Sequence, residues 1–186
     1  MNKNMLYFLL SLYDKNTYNH VCRVAKYSND IGKYLSLPNN EMNLLLYSSL
    51  LHDIGKIYIP TSLLEKKEKL TKEEFDLIKK HVEFGYFILP ETMKEVKNII
   101  LAHHERLDGS GYPFHKIDNE IPKLSKIIAI ADSYDAMTSN RIYNNIKNKE
   151  DALTGLFNNT NYYGENKYCY SYVKAFKNTL QKINAY

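Results

Sequence analysis

Apolar residues recur along this chain at spacings of three and four, the period of a helix that buries one face. Val21, Val24, Ala25, Ser28, Ile31 and Leu35 form the clearest stripe, on a segment opening near Thr17. Pro38-Asn39-Asn40 breaks it and starts a second stripe, Leu44, Tyr47, Ser48 and Leu51. That stripe runs up to His52-Asp53, and Gly55 offers a stop. Thr71-Lys72-Glu73-Glu74 has the pattern of a capping box ahead of Phe75, Ile78 and Val82. Pro90-Glu91 begins a helix whose apolar face, Val96, Ile99 and Ile100, leads into His103 and His104. Pro122 precedes another that carries Ile127, Ile128, Ile130 and Ala131 to Asp132 and Ala136. Two more helices are predicted over Asn148–Phe157 and Cys169–Ile183. No stretch alternates with the period of a strand. The pattern therefore predicts an all-α chain, a bundle of about seven to nine helices around one core. The longest irregular segment is GSGYPFHKIDNEIP, from Gly109 to Pro122.

Size narrows this picture. A chain of 186 residues suits one domain, 1–186, with no linker or repeat inside it. At 44% hydrophobic residues it belongs with globular rather than disordered chains. The net charge of +4 is spread out, with no basic block, so no DNA or RNA polymer is expected as a partner. An anionic small molecule would be tolerated. Cys22 and Cys169 lie far apart and belong to no CxxC pair, which favours a reducing, cytoplasmic setting. The apolar run MLYFLLSLY, Met5 to Tyr13, is too short to span a membrane, which takes about 20 residues, and is read as a first core helix.

Candidate chemistry lies in the histidines. His20, His52, His81, His103 and His104 fall at or near the ends of predicted helices, and His115 falls in the irregular segment. Neighbours on a helix point about 100° apart. His52-Asp53 and His103-His104 would therefore address two ions side by side, with the carboxylate bridging them. Asp132 ends a buried stripe, where a carboxylate needs a partner: a metal, a helix cap or Arg141. Imidazole and carboxylate donors without thiolate suit iron, manganese or an open zinc site.

Three motifs carry a resemblance: HDIGK (His52–Lys56), HHERLDGSGYP (His103–Pro113) and ADSYDAMTSNRIY (Ala131–Tyr143). In this order they resemble the HD-GYP family, a branch of the HD-domain metal-dependent phosphohydrolases. His20 in HVCRVA and His81 in KKHVEFG fill the two remaining ligand positions of that pattern. The motif-bearing core would be about 17–145, with C-terminal helices over 148–186. The resemblance implies an all-helical HD bundle that hydrolyses cyclic di-GMP to pGpG, GMP or both, by attack of a metal-bound hydroxide. Its cofactors would be divalent iron or manganese, with zinc, nickel or magnesium as ions a purified sample could carry. It implies His20, His52, Asp53, His81, His103, His104 and Asp132 as metal ligands, with Asp53 bridging. It makes Asp53 and Lys56 catalytic, with Lys56 beside the substrate phosphate. Gly111, Tyr112 and Pro113 would be the signature loop at the substrate. Arg141 would contact the ligand or pair with Asp132 or Asp135. Glu105 and Asp108 would brace the loop and the histidines from behind.

The chain also departs from the pattern. Asn16 stands where some three-metal members carry a glutamate, which favours two ions. Glu65-Lys66-Lys67-Glu68, Phe114-His115-Lys116 and Asn144 replace common family residues, and NKYCYSYVKAF replaces an expected Phe-Asp-Pro. Two alternatives follow from the altered loops. One is an HD-family phosphohydrolase acting on another cyclic dinucleotide or nucleotide. The other is a catalytically weak cyclic di-GMP-binding or scaffold module that docks a diguanylate cyclase; a homodimer is a further partnership open to the chain.

Overall fold

The computed structural model describes residues 3–139, 147–160 and 167–183. Its helices are α1 (Lys3–Ser11), α2 (Lys15–Tyr34), α3 (Asn39–Leu51), α4 (Thr61–Leu64), α5 (Lys72–Lys79), α6 (His81–Ile88), α7 (Lys94–Leu101), α8 (Lys123–Thr138), α9 (Lys149–Phe157) and α10 (Tyr170–Ile183). No strand occurs among the described residues, so the all-α expectation holds. None of these helices is long and apolar enough to cross a membrane.

The predicted stripes on α2, α7 and α8 are buried faces, whereas on α3 Leu44 and Tyr47 are only half-buried and α5 buries no residue, its Phe75 being exposed. On α2, Val21, Val24, Ala25, Ser28 and Ile31 are buried. The helix begins before Thr17 because the Asp14 carboxylate caps it, accepting from Asn16 N–H at 2.7 Å and Thr17 N–H at 3.0 Å. This stripe packs with Leu45 of α3, Ile99 of α7, Ile127, Ile128 and Tyr134 of α8, Leu156 of α9 and Phe176 of α10 in the larger apolar core. A smaller core joins Leu9 of α1 to Leu51, Ile54, Leu89, Met93, Val96 and Ile100. The run Met5–Tyr13 thus contributes Leu9 to the core, although Phe8 stays exposed.

Three local expectations are revised. The capping box forms, with Glu74 N–H donating to Thr71 Oγ1 at 3.2 Å and Thr71 N–H to Glu74 Oε2 at 2.8 Å. The helix it starts does not reach Val82, however. It stops at Lys79, and α6 begins at His81, whose ring takes the Ile78 carbonyl as its partner at 2.8 Å. The segment after Pro90 opens as a 3-10 turn, Glu91–Met93, before α7. Finally, Gly55 is not a helix stop. It lies in a 3-10 turn, Ile54–Tyr58, and a Cβ there would sit 1.9 Å from the His81 carbonyl oxygen. Its missing side chain lets α6 pack directly on the segment that follows α3.

Candidate metal centre

The two predicted ligand pairs stand just beyond helix ends. His52 and Asp53 follow α3, and His103 and His104 follow Leu101 at the end of α7. The expectation that they sit on helical turns with diverging side chains is therefore corrected. In the turn after α7 the His103 and His104 rings lie side by side, centroids 4.0 Å apart. His20 and Asp132 come from α2 and α8, and His81 heads α6.

All seven residues converge. His81, His103 and His104 form one group of donor atoms within 4.8 Å of one another, and His20, His52 and Asp132 form a second. Asp53 lies between them. Its Oδ2 is 3.5 Å from His20 Nε2 and 3.5 Å from His52 Nε2, while its Oδ1 is 3.4 Å from His81 Nε2. His103 belongs to both neighbourhoods, since it also groups with His52 and Asp53.

The ring orientations follow from the helix ends. A helix leaves its last carbonyls without partners inside the helix. The Nδ1 atoms of His52, His81 and His103 take the carbonyls of Ser49, Ile78 and Ile100, each three residues back, at 2.8, 2.8 and 2.6 Å. With Nδ1 so engaged as the N–H, each ring turns its Nε2 lone pair inward. Those three Nε2 atoms are buried and have no hydrogen-bond partner among the described residues. A buried acceptor of this kind is costly unless something binds it. Inward-facing imidazole nitrogens beside carboxylates are a donor set that fits divalent transition metals.

Charge states at four of the five clustered histidines agree with that fit, whereas at His20 burial is overcome by the carboxylates of Asp132, Asp135 and Asp53, which raise the ring to about 10. Burial drives His52 and His103 below the usual histidine range, and brings His81 down to about 4. His104 falls for the same reason, helped by the neighbouring imidazoles. The neutral ring is the ligating form. Burial alone would raise the Asp53 carboxyl, but the Lys56 ammonium and the histidines outweigh it and hold it well below the carboxylate range. Asp132 is held down likewise, its burial overcome by His20.

The glycine-rich loop returns to this cluster. A Cβ on Gly111 would fall 2.4 Å from Glu105 Cα and 2.5 Å from the His104 carbonyl oxygen, so only glycine permits the approach. Gly109 supplies the bend with φ +75°. Tyr112 then stacks on His104, centroids 4.6 Å apart. Glu105 ties the loop down, accepting from Phe114 N–H at 2.7 Å and Lys116 N–H at 3.0 Å. Asp108 accepts from Ser110 N–H and hydroxyl within the loop itself. Both acids brace the loop, and these hydrogen bonds do not reach the histidine side chains.

The HD domain family matches residues 4–166. The chain belongs to that family. Over 150 residues it is 41% identical to a cyclic di-GMP phosphodiesterase of Thermotoga maritima, a match covering 78% of this chain and 41% of that protein. Over 149 residues it is 38% identical to the 3′3′-cGAMP-specific phosphodiesterase 2 of Vibrio cholerae, covering 76% of this chain and 28% of that protein. The chain thus spans less than half the length of these relatives. Its fold is that of the L. monocytogenes phosphodiesterase PgpH HD domain, solved in complex with cyclic di-AMP. The TM-score is 0.67 at 19% identity, over 95% of this chain and 96% of that one.

Within this HD domain, Lys56 reaches the cluster, its Nζ 2.6 Å from Asp53 Oδ2 with the side chain 23% exposed. Tyr112 lies against it through the His104 ring and Gly111 through the His104 carbonyl, Pro113 is the next residue of that loop, and Arg141 lies outside the described residues. Sequence reasoning gave no site role to Asp135 or Arg23. Asp135 Oδ2 is 2.7 Å from His20 Nδ1, and Arg23 grips the same carboxylate at 2.6 and 3.0 Å. One signal was available: Asp135 stands one helical turn after Asp132 on a face that is otherwise buried and apolar.

Proposed function

We propose that this chain is the catalytic portion of a metal-dependent phosphodiesterase that hydrolyses cyclic di-GMP to pGpG, GMP or both. The observation that carries this reading is the place of Asp53, one buried carboxylate with an oxygen toward each of two histidine groups. That is where a ligand shared by two ions must stand. Nitrogen and oxygen donors without thiolate favour iron or manganese. Two ions are favoured over three, because Asn16, exposed on the first turn of α2, offers a neutral amide where a third ion would want a carboxylate.

When bound, such a pair neutralises phosphate oxygens and lowers the pKa of a coordinated water to about 7. The chain itself holds the rings in place and excludes bulk water from the buried donors. Lys56 stands at the edge of the cluster. Its ammonium can bind a non-bridging phosphate oxygen, or pass a proton to the 3′ oxygen as water adds to phosphorus and the P–O3′ bond breaks. Gly111, Tyr112 and Pro113 form the loop beside His104 against which a nucleotide base would rest, and Arg141 is kept as a further substrate contact.

A related cyclic dinucleotide is the second reading, favoured by the Vibrio cholerae relative whose name specifies cGAMP. A single-turnover assay decides. Protein loaded anaerobically with Fe²⁺, or separately with Mn²⁺, is mixed with cyclic di-GMP and with cyclic GMP-AMP, and products are resolved by chromatography. Linear product from cyclic di-GMP, absent in a His52→Ala/Asp53→Ala control, is the expected result. Linear product from cyclic GMP-AMP alone would favour the second reading. Intact substrate at full metal occupancy would overturn both and leave a binding role.

A further inference from the structure

His52, His81 and His103 take their orientation from backbone carbonyls at helix ends, a resource every helix provides. His20 lies inside α2, where carbonyls one turn back are engaged in the helix itself. Its Nδ1 partner is instead a side chain on another helix, Asp135 of α8, at 2.7 Å. Asp135 is fully buried and heavily donated to. Arg23, one turn after His20 on α2, gives it Nε at 2.6 Å and Nη2 at 3.0 Å. Ser139 adds its hydroxyl at 3.0 Å. The carboxylate is thereby fixed from both helices.

Resting on the metal-centre reading above, we infer that Asp135, clamped by Arg23, is the positioning residue for His20 and governs one metal position only. That position is the one lined by His20, His52 and Asp132. Among the described residues, the side-chain hydrogen bonds of Asp135 and Arg23 go to His20, to each other and to Ser139, and not to the second position, lined by His81, His103 and His104. The two positions therefore differ in how their ligands are held. One depends on a chain of side chains between α2 and α8 that can be cut without removing a ligand. A carboxylate behind an imidazole fixes its tautomer and strengthens it as a donor. α8 supplies both parts: Asp132 as a ligand and, one turn later, Asp135 as the brace.

The test is an Mn²⁺ titration followed by the electron paramagnetic resonance of free ion, with frozen samples read for the exchange-coupled pair. Wild type is expected to bind two ions and show the coupled signal. Asp135→Ala is expected to keep one ion at wild-type affinity and weaken the other by about 10–100-fold, with isolated Mn²⁺ replacing the coupled pair. Asp135→Asn keeps the shape and one acceptor oxygen but not the charge. It is expected to fall between the two, and it decides the matter if the alanine variant does not fold by circular dichroism. Two ions at unchanged affinity in a folded variant, or loss of both together, would overturn the inference. Wild type that takes up no Mn²⁺ would overturn the metal-centre reading and the inference with it.

Discussion

Gly55→Ala is the sharpest perturbation of the candidate centre that changes none of its seven donor residues. The new Cβ would lie 1.9 Å from the His81 carbonyl oxygen, 2.5 Å from Gly85 N and 2.9 Å from the His81 carbonyl carbon. All three are backbone atoms, so no side chain can swing aside. Non-bonded contacts settle near 3.5 Å, so the start of α6 must retreat by roughly 1 Å or more. His81 rides on that backbone, and its Nε2 now stands 3.4 Å from Asp53 Oδ1. A displacement of that size at a catalytic centre costs about 10²-fold in rate, and overpacking of this kind costs about 1–3 kcal/mol in stability. Gly32→Ala is the matched control. There a Cβ would meet the Met42 sulfur at 2.7 Å and the Leu45 and Leu37 side-chain tips, all able to move, far from the histidines. Its helix gains up to about 1 kcal/mol in propensity, which offsets the crowding. Metal affinity, single-turnover rate and urea midpoint are measured for both variants. Wild-type rate and metal affinity in Gly55→Ala would refute the claim that this glycine sets the place of His81.

Three further outcomes are expected. Lys56→Ala should lower turnover by about 10²–10³-fold with metal still bound, and unchanged turnover at full occupancy would remove Lys56 from catalysis. Glu105→Gln keeps one acceptor but sets an amide N–H against the Phe114 or Lys116 N–H that the buried carboxylate now accepts. It should cost about 1–3 kcal/mol, read as a lower urea midpoint, and an unchanged midpoint would show that the loop is held by other contacts. Tyr134→Phe should leave stability unchanged or raise it by up to about 1 kcal/mol, because the buried Tyr134 hydroxyl has no hydrogen-bond partner among the described residues. A clear fall in melting temperature would mean that the hydroxyl does bind something.

The helix faces and the seven donor residues were legible in the sequence because both rest on local pattern: periodicity for the faces, motif for the donors. What was not legible is geometry that depends on a second segment. No breaker follows Lys79, yet α5 ends there and the Ile78 carbonyl serves the His81 ring. Gly55 reads as a stop, the commonest use of a glycine after a helix, and only the approach of α6 shows its other purpose. Asp135 and Arg23 lie 112 positions apart, and nothing local joins them. The sequence offers Asp135 only as a partner for Arg141, whereas its buried carboxylate is held by Arg23 and His20.

The two motifs solve one problem in the same way. Adjacent residues inside a helix point about 100° apart and cannot serve one site. Just past a helix end the chain is released from that geometry while the helix still offers orphan carbonyls to orient a ring. His52 and Asp53 use the end of α3 in this manner, and His103 and His104 use the end of α7. Each pair is followed by a glycine whose missing Cβ lets another stretch of backbone close in. Gly55 faces the His81 carbonyl, and Gly111 faces the His104 carbonyl. The first closure delivers a further candidate donor, His81, and the second delivers Tyr112 onto the His104 ring. The spacing of each motif is thus a physical sequence of helix end, oriented donors and close backbone approach. His20 and Asp132, on helix interiors, lack that arrangement and meet from separate helices at 3.2 Å. That is why their side of the centre needs the Asp135–Arg23 brace, and why it is the side most open to disruption from outside the ligand set.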